Sequence, residues 1–161
     1  MTTHAPENYE CPICLAIAGT ESDATWIKQA DIFYRDELVL AFVGSKFIKG
    51  NEGHPLVVPV AHHENLYTLP DATGHRIMEV TKLVANALKS IRRCDGVTLI
   101  QNNEPAGDQH AFHYHTHVIP RFDGDTLHEE IWKTYKSQPE ERIAYAEALR
   151  VYFATLASSG G

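Results

Sequence analysis

No stretch of this chain reaches the ~18 consecutive apolar residues of a membrane-spanning helix, so nothing in it reads as a span. Met1 to Glu10 is polar and lacks the basic start and apolar stretch of a secretory leader, which makes the cytoplasm the expected location. Positive charge is scarce: 14 Lys and Arg stand against 21 Asp and Glu, a formal net charge of -7. A protein that coats a nucleic acid backbone needs a basic face, so no nucleic acid polymer and no membrane is expected as a partner. A small phosphorylated substrate stays open, because a few local donors can meet its charge. Cysteine is scarce too. Three cysteines in a chain of this kind do not make a disulfide framework. Internal repeats and long linkers are also lacking.

The 161 residues suit one domain around a single core. Hydrophobic residues make up 43% and charged residues 22%, an ordinary globular balance. Residues 1–10 read as a loose arm. Leu38 to Val43 is a continuous apolar run that reads as a buried strand. Gly44 to Gly53 reads as a loop. Leu56 to Val60 reads as a second strand, with Pro59 suggesting an edge or a bend. Thr68 to Arg93 is the clearest helix, with Thr68 and Asp71 as a capping box and Ile77, Val80, Val84, Leu88 and Ile91 at helical spacing. Val97 to Gln101 and Phe112 to Ile119 read as further strands. Asp125 to Lys136 and Pro139 to Leu156 look helical, the second with Ile143, Leu149, Phe153 and Leu156 on one face. This order suggests an α+β fold with an antiparallel sheet.

Ten residues are histidine, and their clustering carries the functional information. In His113-Tyr114-His115-Thr116-His117, a strand would place the three imidazoles on one face, ~6.5–7 Å apart. Three imidazoles make a poor core, since each needs hydrogen-bond partners. As chemistry, the row offers a nucleophile, a group to orient it and a binder of phosphoryl oxygens. Cys11-Pro12-Ile13-Cys14 has two readings, half of a zinc site or a redox pair.

The segment His113 to Ile119 resembles the signature of the histidine-triad (HIT) family, His-x-His-x-His followed by two apolar residues. Gly53-His54-Pro55-Leu56-Val57-Val58-Pro59, with His62 after it, is similar to the family's G-H-x-L-V-I-P-x-x-H segment. Asn102, Gln109 and Ile119-Pro120-Arg121 also match, so the resemblance runs over about residues 11 to 122. It implies a HIT-like fold: an antiparallel sheet of about five strands, two main helices and C-terminal helices. The implied organisation is an arm (1–10), a HIT domain (11–125) and a helical extension packed on it (126–161).

The resemblance also implies roles. His115 would be the nucleophile that takes a nucleoside monophosphate. His117 would contact the α-phosphate, and Asn102 and Gln109 would hold phosphate or bridging oxygens. The activity implied is hydrolysis or transfer at the α-phosphate of a nucleoside phosphoramidate or dinucleoside polyphosphate. A binding or scaffold protein with little turnover, or a zinc-stabilised structural domain, are the alternatives. In relatives with an N-terminal CxxC, a structural zinc is held by the pair, the histidine after V-I-P and the first triad histidine. Here those are Cys11, Cys14, His62 and His113, with His62 preferred over His63 by its spacing from Pro59. A homodimer through Thr68 to Arg93 is implied as well, consistent with apolar residues such as Ile77, Leu83, Val84, Ala87 and Leu88 spread around more than one stripe.

Two departures stand out. The family usually carries an aspartate two residues after L-A-F, where it holds ribose hydroxyls; here that position is Gly44. Asn51 and Glu52 are the acid or amide replacements nearby. His110 replaces a small hydroxyl residue near the leaving group. It reads either as a substrate contact or as a solvated loop histidine. Phe42 likewise reads either as a wall of a base pocket or as plain core. Cys94 reads as a small buried apolar residue.

Overall fold

The computed structural model describes residues 3–22 and 24–159. Among the described residues seven strands form: β1 (Ile32–Arg35), β2 (Val39–Val43), β3 (Lys46–Phe47), β4 (Pro55–Pro59), β5 (Gly96–Gln101), β6 (Thr116–Arg121) and β7 (Tyr135–Lys136). Four α-helices accompany them: α1 (Pro12–Ile17), α2 (Asp71–Ile91), α3 (Leu127–Glu130) and α4 (Pro139–Ser159). Residues 160 and 161, at the end of the expected extension, lie outside the described residues. No helix among the described residues is long and apolar enough to cross a membrane.

Five strands make one antiparallel sheet in the order β1-β2-β4-β6-β5. The alternation of a strand then divides its residues between two layers. Val39, Ala41, Val43, Val57 and Val118 face one way, into a core shared with Ile77, Val80, Val84, Ala87 and Leu88 of α2 and Ala146 and Leu149 of α4. Leu40, Phe42 and Val58 face the other way, against Ile13 and Ala16 of α1. Burial on both faces explains why β2 reads as an unbroken apolar run. Cys94 is buried in the first of these cores.

Several expected boundaries shift, each for a local reason. Thr68 belongs to a separate 3-10 turn, and α2 starts at Asp71 after Pro70. The proline keeps Leu69 extended, so the helix cannot begin before it, and no capping box forms there. β4 lies in the middle of the sheet, not at an edge. Pro55 and Pro59 are tolerated because they stand at its two ends. The segment 125–136 is helical over Leu127–Glu130 alone. Tyr135–Lys136 instead pairs with Lys46–Phe47 in a two-stranded ribbon, so residues 44–53 are not all loop. A Phe47–Tyr135 edge contact, 6.0 Å between centroids, helps to hold that ribbon. Residues 3–10 of the arm are pinned: Thr3 and His4 bond the Glu64 carboxylate, and Tyr9 packs edge-on to Phe112; residues 1 and 2 lie outside the described residues.

The face of α4 is set by a charge. Arg142 is 1% exposed and forms an ion pair with Asp31, also 1% exposed, at 2.9 Å. Its other nitrogens donate to the carbonyls of Ser137 (2.8 Å) and Trp26 (2.9 Å). Ala146 and Leu149 follow it into the core, while Ile143 and Leu156 turn outward. Breaking one partner of a buried pair leaves the other charge without compensation. Arg142→Ala should therefore cost about 3–5 kcal/mol in urea unfolding. A loss under about 1 kcal/mol would show that the pair is not a structural anchor.

Candidate functional site

α1 opens at Cys11, whose sulfur caps the helix by accepting from the Cys14 amide at 3.4 Å. The turn places both thiols on one side. His62, just after β4, brings its Nδ1 to 3.3 Å from Cys14 Sγ. His113 brings its Nδ1 to 3.5 Å from both sulfurs. The ligand atoms of these four residues lie within 4.8 Å of one another, and His63 is not among them. Tetrahedral zinc with sulfur at ~2.3 Å and nitrogen at ~2.0 Å requires sulfur–nitrogen separations of about 3.5 Å, so the cluster suits that ion. His113 Nε2 is 2.9 Å from the Pro59 carbonyl, which takes a proton there and leaves Nδ1 as the free lone pair facing the thiols. Burial and the neighbouring Cys11 push the Cys14 thiol up to about 12.

The triad does not lie on one regular strand. β6 begins at Thr116, and the Tyr114 amide bonds the His63 carbonyl at 2.6 Å instead of a neighbouring strand. His113 can therefore turn to the cysteines while His115 and His117 turn to a cleft of about 580 Å³ on the α1 face of the sheet. The floor of the cleft is a row across adjacent strands, Phe42 paired with Leu56 and Leu56 with His117. Phe42 thus fills both expected roles: it is core, and it lines the cleft.

Hydrogen bonds set the tautomers. His115 Nδ1 is 2.8 Å from the His113 carbonyl, which only accepts, so Nδ1 carries the proton and Nε2 keeps its lone pair. His117 Nδ1 is 3.2 Å from His54 Nε2. His54 Nδ1 is buried with no partner. A buried lone pair is tolerated there better than a buried N–H, so His54 donates through Nε2 and His117 keeps its own Nε2–H for the cleft. Burial holds all three imidazoles neutral: His54 is pushed down to about 4, and His115 and His117 also fall below the usual histidine value. The site can therefore offer a basic nitrogen and a donor side by side, 5.0 Å between ring centroids.

Asn102 and His110 line the same cleft. Gln109 does not. It is buried, with Nε2 donating to the Glu64 and Ala111 carbonyls and Oε1 accepting from the Glu104 amide. Nor do Asn51 and Glu52 line it; Asn51 is buried and bonds Pro120 and Asp125. His54 is the residue missed as a site group. Its signal was available, since it stands two residues before Leu56 on the same strand periodicity as the cleft floor. Trp26, Lys46 and Trp132 also line the cleft, and nothing in their local sequence marks them.

The family model of the HIT domain matches residues 27–124. The chain belongs to the HIT family. It is 32% identical over 152 residues to the curated protein "hit" of Bacillus subtilis, covering 92% of this chain and 97% of that one. It is 27% identical over 139 residues to an adenosine 5'-monophosphoramidase of Schizosaccharomyces pombe, 86% of this chain and 95% of that one. Among solved structures, a Zn-bound histidine triad family protein from Mycobacterium smegmatis superposes with a TM-score of 0.74 at 28% identity, covering 92% and 96% of the two chains.

In this HIT protein a side chain at position 44 requires its neighbours to shift, Leu56 first. A Cβ on Gly44 would stand 2.7 Å from Leu56 Cδ1 and 3.2 Å from the His54 carbonyl oxygen. Even Gly44→Ala should then cost about 1–3 kcal/mol, the usual scale of overpacking. Urea unfolding of the variant checks this, and an unchanged midpoint would contradict the close approach.

Proposed function

We propose that the chain hydrolyses, or transfers at, the α-phosphate of a nucleoside phosphoramidate or dinucleoside polyphosphate. The reading is carried by one observation, the His115 ring held through Nδ1 with its Nε2 lone pair free beside the cleft. Nε2 attacks the α-phosphorus, and the bond to the leaving group breaks with the electron pair going to that group; a leaving amine takes up a proton from solvent as it departs, and a leaving phosphate departs as the anion. Water then attacks the same phosphorus and gives up a proton to solvent, the Nε2–P bond breaks with its electron pair returning to Nε2, and a nucleoside monophosphate departs. His117 donates to a phosphoryl oxygen as charge develops there. Asn102 and His110 provide further contacts from the rim. Gln109 acts indirectly, holding the 104–111 loop in place. The named activity of the Schizosaccharomyces pombe relative supports the phosphoramidate class.

Cys11, Cys14, His62 and His113 would hold a structural zinc, whose contribution is to fix the fold around the site and not to take part in the reaction. The bare floor at Gly44 favours one second reading, a nucleotide-binding protein with little turnover. The homodimer is also part of the proposal. Ile77, Val84, Ala87 and Leu88 are consumed by the chain's own core. The surface left for a partner includes Met78 (60% exposed) on α2 and Leu99 (46% exposed) on the edge strand β5. A sedimentation mass of one chain at micromolar concentration would contradict it.

The role split gives opposite phenotypes. His115→Ala should abolish turnover of adenosine 5'-phosphoramidate with about one zinc per chain retained. His113→Ala and Cys14→Ala should lose the metal and lower stability. Metal analysis and activity are measured in parallel; a His115→Ala variant with near-parental turnover overturns the mechanism. The active imidazoles are neutral, and burial lowers their pKa, so they stay neutral as pH falls through ~6.5, the ordinary histidine value. Activity on the metal-loaded protein should thus be flat across pH 6.5 and decline only at lower pH. An inflection at or above 6.5 would contradict the burial of the site.

A further inference from the structure

The lip of the cleft carries a cation that the reaction above does not use, Lys46, and a second, Lys136, stands beside it just outside the lining. Lys46 and Lys136 stand directly opposite each other in the β3–β7 ribbon. Like charges in that position repel. Their Nζ atoms lie 5.8 and 4.4 Å from the centroid of the Trp26 ring. Neither lysine makes an ion pair among the described residues, although the chain has 21 acids. Trp26, Ser45 and Lys46 line the cleft together with Gly44. The acids that line it, Glu10 and Asp108, come from other segments, the arm and the loop before His110.

The arrangement is held rigidly. The buried Arg142 guanidinium takes the carbonyls of Trp26 and of Ser137, the residue next to Lys136. Ser137 in turn donates to the Ser45 carbonyl through its amide (3.0 Å) and hydroxyl (2.9 Å). Trp26, Ser45 and the ribbon therefore hang from one point, which lowers the cost of ordering them around a ligand. Beside them, position 44 carries no side chain, and a Cβ there would stand 2.7 Å from Leu56 Cδ1. The part of the cleft where a carboxylate could have read hydroxyls offers cations and an aromatic ring instead.

We propose that Lys46 and Lys136, over Trp26, form a second anion subsite at the lip of the cleft. Resting on a nucleotide in the cleft as read above, this makes the preferred substrate a nucleotide with a phosphate besides the α-phosphate. That phosphate sits either on the ribose or along the 5' leaving group; the shared chemistry is a phosphate ester or anhydride oxygen meeting two ammonium groups.

Calorimetry on the full-length, zinc-loaded protein tests it with four probes: AMP, adenosine 3',5'-bisphosphate, adenosine 2',5'-bisphosphate and ADP. At least one of the last three should bind about tenfold more tightly than AMP, the scale of two partly exposed charge pairs. A gain with the bisphosphates places the second phosphate on the ribose, and a gain with ADP places it on the leaving side. In the Lys46→Ala/Lys136→Ala double variant the affinity ratio should collapse to about one, while Lys46→Arg/Lys136→Arg should preserve it. Equal affinity of all four probes in the parent, or the same ratio in the alanine variant, overturns the subsite and leaves the nucleotide reading standing. Failure of AMP and all other probes to bind overturns both. Thermal melts of each variant verify that the fold is intact.

Discussion

His113 is the joint on which the site depends, because three of its polar atoms are committed in three directions. Nδ1 faces the two thiols, Nε2 donates to the Pro59 carbonyl, and its own backbone carbonyl receives the His115 Nδ1 proton. One residue thereby couples the first helix, the central strand and the candidate nucleophile. The arrangement is demanding. A side chain pulled toward the cysteines cannot also continue a regular ladder, and β6 accordingly begins only at Thr116.

The second constraint is desolvation. The sheet is buried on both faces, and the cleft is cut into the thinner layer, beside α1. Imidazoles placed there are kept neutral by the low polarity around them, since charging a buried group without a partner is costly. His54, with one nitrogen on His117 and the other unpartnered, shows the cost of that placement directly. A site of neutral histidines can still bind an anion, because each ring presents either a lone pair or an N–H, and the hydrogen bonds on the far side decide which.

Much of this was legible in the sequence, and the gaps have physical causes. The apolar runs of β2 and β4 and the 3.6-residue spacing of α2 are local signals, and they mark the sheet and its main helix. The four residues that could hold a metal, Cys11, Cys14, His62 and His113, were legible through the family resemblance, while Cys11 and Cys14 by themselves left a redox pair open. The β3–β7 ribbon was not, because Lys46–Phe47 and Tyr135–Lys136 are too short to show a period and lie far apart in the chain. The face of α4 was misjudged for a related reason. Its buried anchor is Arg142, a residue type that reads as surface until its partner Asp31 is placed beside it. Gln109 has the right identity and spacing for a substrate contact, yet its hydrogen bonds are all spent within its own loop and on Glu64. Side-chain direction in a loop is set by tertiary partners, and spacing does not encode it.

The proposed reaction requires a covalent bond between His115 Nε2 and phosphorus. The most direct measurement mixes zinc-loaded protein with adenosine 5'-phosphoramidate for milliseconds. The reaction is then quenched in alkali, which spares the acid-labile phosphorus–nitrogen bond, and the peptides are mapped by mass spectrometry. The account predicts an adenylyl adduct on the peptide carrying His115, localised to that ring and absent from His115→Ala. Turnover with no adduct at any time, or an adduct at another residue, would contradict it.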